Sequence, residues 1–238
     1  MSGTTTTAGT GLDGFVDLDG LIDHARSLAS TGSRRILGIV GAPGAGKSTV
    51  SDALAAALGD QAVIVGMDGF HLDNPELVRL GRRDRKGAPD TFDVDGYIAL
   101  LSRLARAGRT AESPGTSIYA PRFDRSLEAS IGSAVLVRPE VPLVITEGNY
   151  LLFDDHGWQG VAAHLDESWY VDVDDEVRRD RLIARRLGHG HPRDEAEAWV
   201  LGVDEPNARL VDATKQRATR IVTLDASTPV ETESTHGA

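Results

Sequence analysis

The octapeptide Gly41-Ala42-Pro43-Gly44-Ala45-Gly46-Lys47-Ser48 constrains this chain more than any other stretch. It fits the pattern G-x-x-x-x-G-K-[ST], and its surroundings have the form that the pattern needs. Before it, Arg35-Ile36-Leu37-Gly38-Ile39-Val40 is a short apolar run that reads as a buried strand. After it, residues 47–58 read as a helix. Glycines let the backbone curl so that successive N–H groups point inward, and the helix N-terminus adds partial positive charge. Such a loop cradles phosphates. Lys47 would bridge β- and γ-phosphates, Ser48 would hold Mg²⁺, and Thr49 continues the nucleotide-binding stretch. Only three lysines occur, Lys47, Lys86 and Lys215, so a glycine-rich loop with a chance lysine is the weaker reading.

The rest of the chain supplies a sheet for this loop. Ala62–Val65, 141–146, 169–173 and 220–224 read as further buried strands. Residues 17–30, 94–107, 175–187 and 194–213 read as helices between them. Strands alternating with helices imply an α/β fold, a parallel sheet with helices on both faces. Ligands on such sheets bind at the carboxyl ends of the strands. Residues 1–11 and about 226–238 are rich in Thr, Ser, Gly and Glu and read as flexible tails around one domain, 12–225.

Composition removes other classes. With 25 Lys+Arg against 36 Asp+Glu the net charge is −11, which argues against non-specific nucleic-acid or anionic-membrane binding. The absence of cysteine excludes disulfides, Cys-zinc sites, Cys-ligated clusters and thiol nucleophiles. No apolar run approaches the roughly 20 residues of a membrane span, and MSGTTTTAGTG lacks the features of a signal peptide, so a cytoplasmic protein is expected. No Asn-Lys-x-Asp and no LSGGQ-like stretch occurs, which argues against a GTPase and a transporter ATPase.

Two acids and a group of arginines complete the candidate site. Asp68 follows the second strand and could take a proton from an attacking hydroxyl; the alternative is a turn-capping Asp before Gly69. Glu147 ends the third strand and could serve Mg²⁺; the alternative is a solvated strand-end acid. Arg178, Arg179, Arg181, Arg185, Arg186 and Arg193 crowd into a lid-like stretch, about 178–195, with a Gly188-His189-Gly190-His191-Pro192 break. Guanidinium groups suit transferring phosphates, but Arg178 and Arg179 could equally pair with Asp174, Asp175, Glu176 and Asp180. His189 and His191 lack a third ligand at zinc spacing, and His71 reads as a substrate-pocket or packing residue.

In order, Gly41–Ser48, Met67-Asp68-Gly69-Phe70, Lys86-Gly87-Ala88-Pro89-Asp90-Thr91-Phe92-Asp93 and Glu147-Gly148 resemble the phosphoribulokinase / uridine kinase / bacterial pantothenate kinase family. The similarity spans roughly residues 33–225. It implies a P-loop NTPase fold with an arginine-rich lid and transfer of the ATP γ-phosphate to a hydroxyl of a small metabolite. It implies Asp68 as base or substrate anchor, Glu147 on Mg²⁺, and lid arginines, here Arg181, Arg185 and Arg193, clamping phosphates. The acceptor-side segment, about 84–125, would contribute Lys86 and Asp90. Gly87 stands where uridine kinases carry the Asp that holds the ribose, which weighs against uridine or cytidine. Sugar, nucleoside and pantothenate-like acceptors all stay open. Tyr119-Ala120-Pro121-Arg122-Phe123-Asp124-Arg125 resembles instead the nucleoside/nucleotide kinase-like, fructose-transport-associated branch. Tyr119, Arg122 and Arg125 are its candidate acceptor contacts, although the arginines could pair with Asp124 or Glu128. The family commonly forms dimers, so a homodimer is possible. The rival reading is a regulatory ATP-binding protein, associated with transport and lacking a metabolite acceptor.

Overall fold

Alternation along one strand organises the molecule. In the computed structural model, strand β1 (Arg35–Val40) sends Ile36 and Val40 into one hydrophobic cluster and Leu37 and Ile39 into another. A strand buried on both faces must lie inside a sheet covered on both sides. The structure describes residues 17–107 and 115–223; both expected tails, Leu224 of the expected last strand, and part of the acceptor-side segment lie outside the described residues.

The sheet has five parallel strands in the order β2 (Ala62–Ile64), β5 (Leu143–Gly148), β1, β6 (Glu167–Asp172), β7 (Arg220–Thr223). The chain leaves β1 in one direction and crosses from β5 to β6 in the other. This opens a crevice at the carboxyl edge beside β1. On one face lie α1 (Leu18–Ala29) and α2 (Lys47–Leu58), whose Leu21, Ala25, Val50 and Leu54 pack with Leu37, Ile39 and Trp169. A short helix, α3 (Asn74–Arg79), follows β2 and carries one fully buried side chain, Leu77. On the other face lies α4 (Val94–Ala107), whose Tyr97, Leu100, Leu101 and Leu104 cluster with Trp158 and Tyr170. The expected α/β architecture is the one observed.

Three local expectations change. Residues 119–125, for which the sequence predicts no element, lie in a hairpin: β3 (Ile118–Asp124) pairs antiparallel with β4 (Ala129–Val137) as a separate two-stranded sheet. Its register slips between Ala120 and Arg122, at Pro121, which has no N–H for the ladder. The expected helix 194–213 is broken. After α5 (Asp175–Gly188) come α6 (Arg193–Trp199), a π-helical turn (Val200–Asp204) and α7 (Glu205–Asp212). Pro206 cannot donate to the carbonyl one turn back, and the Glu205 N–H reaches Val200 O instead. The third expected strand runs on to Gly148, so Glu147 lies within it. Among the described residues no helix is long and apolar enough to cross a membrane.

Candidate active site

The loop between β1 and α2 is a backbone-made concavity. Gly44 and Gly46 have φ of +80° and +95°, the left-handed region that glycine enters without a Cβ penalty. A Cβ at Gly44 would lie 2.9 Å from the Arg178 carbonyl oxygen, so the loop is also closely backed. Lys47 Nζ donates to Gly41 O at 2.9 Å, Ala42 O at 3.1 Å and Asn149 Oδ1 at 2.7 Å. An ammonium has three protons, and these three acceptors use them. A phosphate entering the loop must therefore displace at least one. Burial pulls the Lys47 pKa down to about 8, against the opposing pull of Glu147 and Asp68.

Strand β5 brings Glu147 to this loop. Its Oε1 accepts from Ser48 Oγ at 3.2 Å, while its Oε2 is buried with no hydrogen-bond partner among the described residues. Burial, then the nearby Asp68 charge, raise the Glu147 pKa above the ordinary carboxylate value, with Lys47 opposing. A buried carboxylate oxygen left unsatisfied is costly unless something else fills its coordination. Two hard oxygen ligands from Ser48 and Glu147 fit a divalent ion such as Mg²⁺. Beneath Glu147, Thr146 Oγ1 donates to Val65 O at 2.6 Å and lies 2.6 Å from the Tyr97 hydroxyl. This buried link ties β5 to α4 and to the segment leading into Asp68.

Asp68 sits in a 3₁₀ turn (Met67–Phe70), clamped from both sides. A Cβ at Gly148 would lie 2.6 Å from Met67 Cβ, and one at Gly69 would lie 2.6 Å from Pro121 O. The side chain of Asp68 is 42% exposed, and its Oδ2 lies 3.6 Å from Arg125 Nη2. The turn thus presents a solvent-facing carboxylate, framed by β5 and the hairpin. His71 packs between Phe92 and Phe123, with ring centroids 4.1 and 4.8 Å away, and its Nδ1 donates to Asp68 O at 2.9 Å. Burial lowers its pKa, so the imidazole is neutral at physiological pH.

The other expected site residues divide. Arg181 reaches the loop, its Nη1 3.6 Å from the position a Cβ at Gly46 would take. Arg185 is electrostatically coupled to Lys47. Arg193 pairs with Glu197 at 3.1 Å on the surface. Lys86 is turned inward to Asn74 Oδ1 at 2.9 Å and Glu128 O at 2.8 Å, over the Phe123 ring. Asp90 pairs with Arg85 and Arg82. Tyr119 and Arg122 are on β3, and both are exposed. Asn149, which holds Lys47, is not among the site residues expected from the sequence; its signal there is its place two residues after Glu147. Arg178 is not on a solvated face: it is 1% exposed and paired with Glu205.

The family model for the Phosphoribulokinase / Uridine kinase family matches residues 36–227. The chain belongs to that family. An ATP-dependent kinase-like protein notR' of Aspergillus versicolor is 37% identical over 148 residues, covering 60% of this chain and 84% of the relative. YggC of Escherichia coli K12, a protein of uncharacterized function, is 33% identical over 196 residues, covering 80% and 78%. A structure from Silicibacter sp. TM1040, described as a "putative fructose transport system kinase", superposes with a TM-score of 0.76 at 38% identity. That superposition covers 87% of this chain and 98% of the other. As a family member the chain is an ATP-dependent kinase with the P-loop fold expected from its sequence.

Proposed function

We propose that this kinase transfers the γ-phosphate of ATP to a hydroxyl group of a small metabolite. The observation that carries the reading is the Asp68 carboxylate, 42% exposed on a clamped turn, beside the Lys47–Ser48–Glu147 cluster. On this reading Asp68 accepts the hydroxyl proton as the acceptor oxygen bonds to the γ-phosphorus. The bond from phosphorus to the β–γ bridging oxygen breaks, and ADP departs with that electron pair. Lys47, with Arg181 and Arg185, stabilises the charge on the transferring group, mostly by position and electrostatics. Ser48 and Glu147 would hold Mg²⁺, which neutralises charge on the β- and γ-phosphates when bound. The acceptor would lie between Asp68 and the hairpin, within reach of Arg125 and Arg122. Lys86 and Asp90, engaged by internal partners, shape the wall of that site in this arrangement.

The test is an ADP-release assay across sugars, hydroxy acids, nucleosides and vitamin precursors, with Lys47→Ala as blank. Sugars come first, because the Silicibacter structure at 38% identity is described as a "putative fructose transport system kinase". The reading expects one acceptor class to raise ADP release well above the acceptor-free rate. Acceptor-independent turnover across the whole panel would favour the regulatory ATP-binding reading instead.

A further inference from the structure

The phosphate loop is supported from behind by a charged pair that the proposed chemistry does not use. Arg178 lies on α5, and its side chain is 2% exposed. Its Nη2 pairs with Glu205, the first residue of α7, whose side chain is 9% exposed. Its Nε lies 3.2 Å from Asp175 Oδ1, and its Nη1 donates to Pro43 O at 3.4 Å. The contact with the loop is steric as well. A Cβ at Gly44 would fall 2.9 Å from the Arg178 carbonyl oxygen, 3.1 Å from its Cγ and 2.9 Å from Leu182 Cγ. Pro43 and Gly44, whose conformation shapes the phosphate cradle, therefore rest on the body of Arg178.

We infer that Glu205 is a positioning residue for nucleotide binding, acting on the phosphate loop through Arg178. The inference rests on the kinase reading and deepens it. A guanidinium this buried needs an acid within reach, and removal of one partner leaves a strongly unfavourable charge. Beside the pair lies a cavity of about 480 Å³, lined in part by Ala42, Asp172, Arg178, Glu205 and Asp212. Released from Glu205, the guanidinium has water and other acids to turn towards in that cavity, away from Pro43. The loop then loses its backing without losing any residue that touches phosphate. Arg179 also reaches Glu205, at 3.3 Å, so the acid gathers the start of α5 and the start of α7 at one point. The π-helical turn and α6 lie between those two ends, so the pair also closes the base of the lid.

The experiment measures ADP·Mg²⁺ affinity by calorimetry, with thermal unfolding of each variant, for the full chain. Glu205→Gln keeps the shape and removes the charge. Its ADP affinity is expected to fall roughly 10-fold, by analogy with the loss of metal affinity when an outer partner of a metal ligand is removed. The KM for ATP should rise more than kcat falls. Glu205→Asp should recover most of the affinity. If Glu205→Gln does not fold, the pair Arg178→Met with Glu205→Met decides the matter. Well-packed apolar replacements of a buried ion pair commonly keep stability. A purely structural pair then predicts native ADP affinity, whereas a positioning pair predicts native melting with weakened ADP binding. ADP affinity within twofold of the parent in the folded Gln or Met/Met protein overturns the inference and leaves the kinase reading intact. Failure of the parent protein itself to bind ADP·Mg²⁺ overturns both.

Discussion

At the scale of single residues, the site is a set of charges whose environments differ. Asp68 is the half-open carboxylate and Glu147 the enclosed one. This difference in exposure is what the proposed base role of Asp68 and metal role of Glu147 require of two acids near one ammonium. Asp68→Asn is expected to retain ATP binding and to lose about 10²–10⁴-fold in kcat with the true acceptor. Steady-state kinetics beside calorimetry check this, and unchanged turnover would remove Asp68 from the base role. Lys47 gives a pH dependence. Its pKa of about 8 in the free protein means the ammonium is charged below that pH and increasingly neutral above it. Phosphates favour the charged form, so binding raises the pKa and takes up a proton. ADP affinity should be level well below pH 8 and fall as pH rises through it, by at most about tenfold per unit. Calorimetry from pH 7 to 9.5 reads the slope, and a flat profile rules out Lys47 as the titrating contact.

At the scale of elements, what matters is how closely the Asp68 turn is held between β5 and the hairpin. The Cβ of Gly69→Ala would meet the Pro121 backbone, which has no flexible end to give way. Overpacking of this kind costs about 1–3 kcal/mol and should push the hairpin away from the turn. The variant is expected to melt lower and to lose acceptor turnover more than ADP affinity. Equal losses in both would mean that the turn and the phosphate loop move as one unit. The hairpin was illegible in the sequence for a physical reason. Ala129–Val137 is exposed or half-buried along most of its length, so no apolar alternation marks it. Pro121 in the partner strand also argues locally against pairing. The sheet strands are legible because each carries a short apolar run, although the edge strands β2 and β7 turn out to be mostly half-buried. The break at 200–204 was signalled by Gly202 and Pro206, but α-helical periodicity on either side concealed it.

At the scale of the whole molecule, nucleotide binding and stability are linked. A ligand that binds only the folded state at 100 times its Kd adds about 2.7 kcal/mol. For a chain of this size that corresponds to a rise of roughly 5–10 °C in Tm. ATP·Mg²⁺ is expected to give such a rise in the parent and none in Lys47→Ala; differential scanning fluorimetry measures both. The phosphate loop is legible in the sequence alone because its requirements are local: glycines for the left-handed backbone, a lysine and a serine at set spacing, an apolar run on one side. Family membership follows from the order of such motifs. The meeting of Ser48 with Glu147, 99 residues apart, depends on β5 inserting beside β1. Packing also makes the choice among six arginines, which nearness in the chain leaves undivided. Arg178 is drawn inside by Glu205, Arg193 is left to solvent, and Arg181 is turned to the loop. Charge and spacing along a helix state what a side chain can do, but burial selects among those uses, and burial is a property of the packed layers.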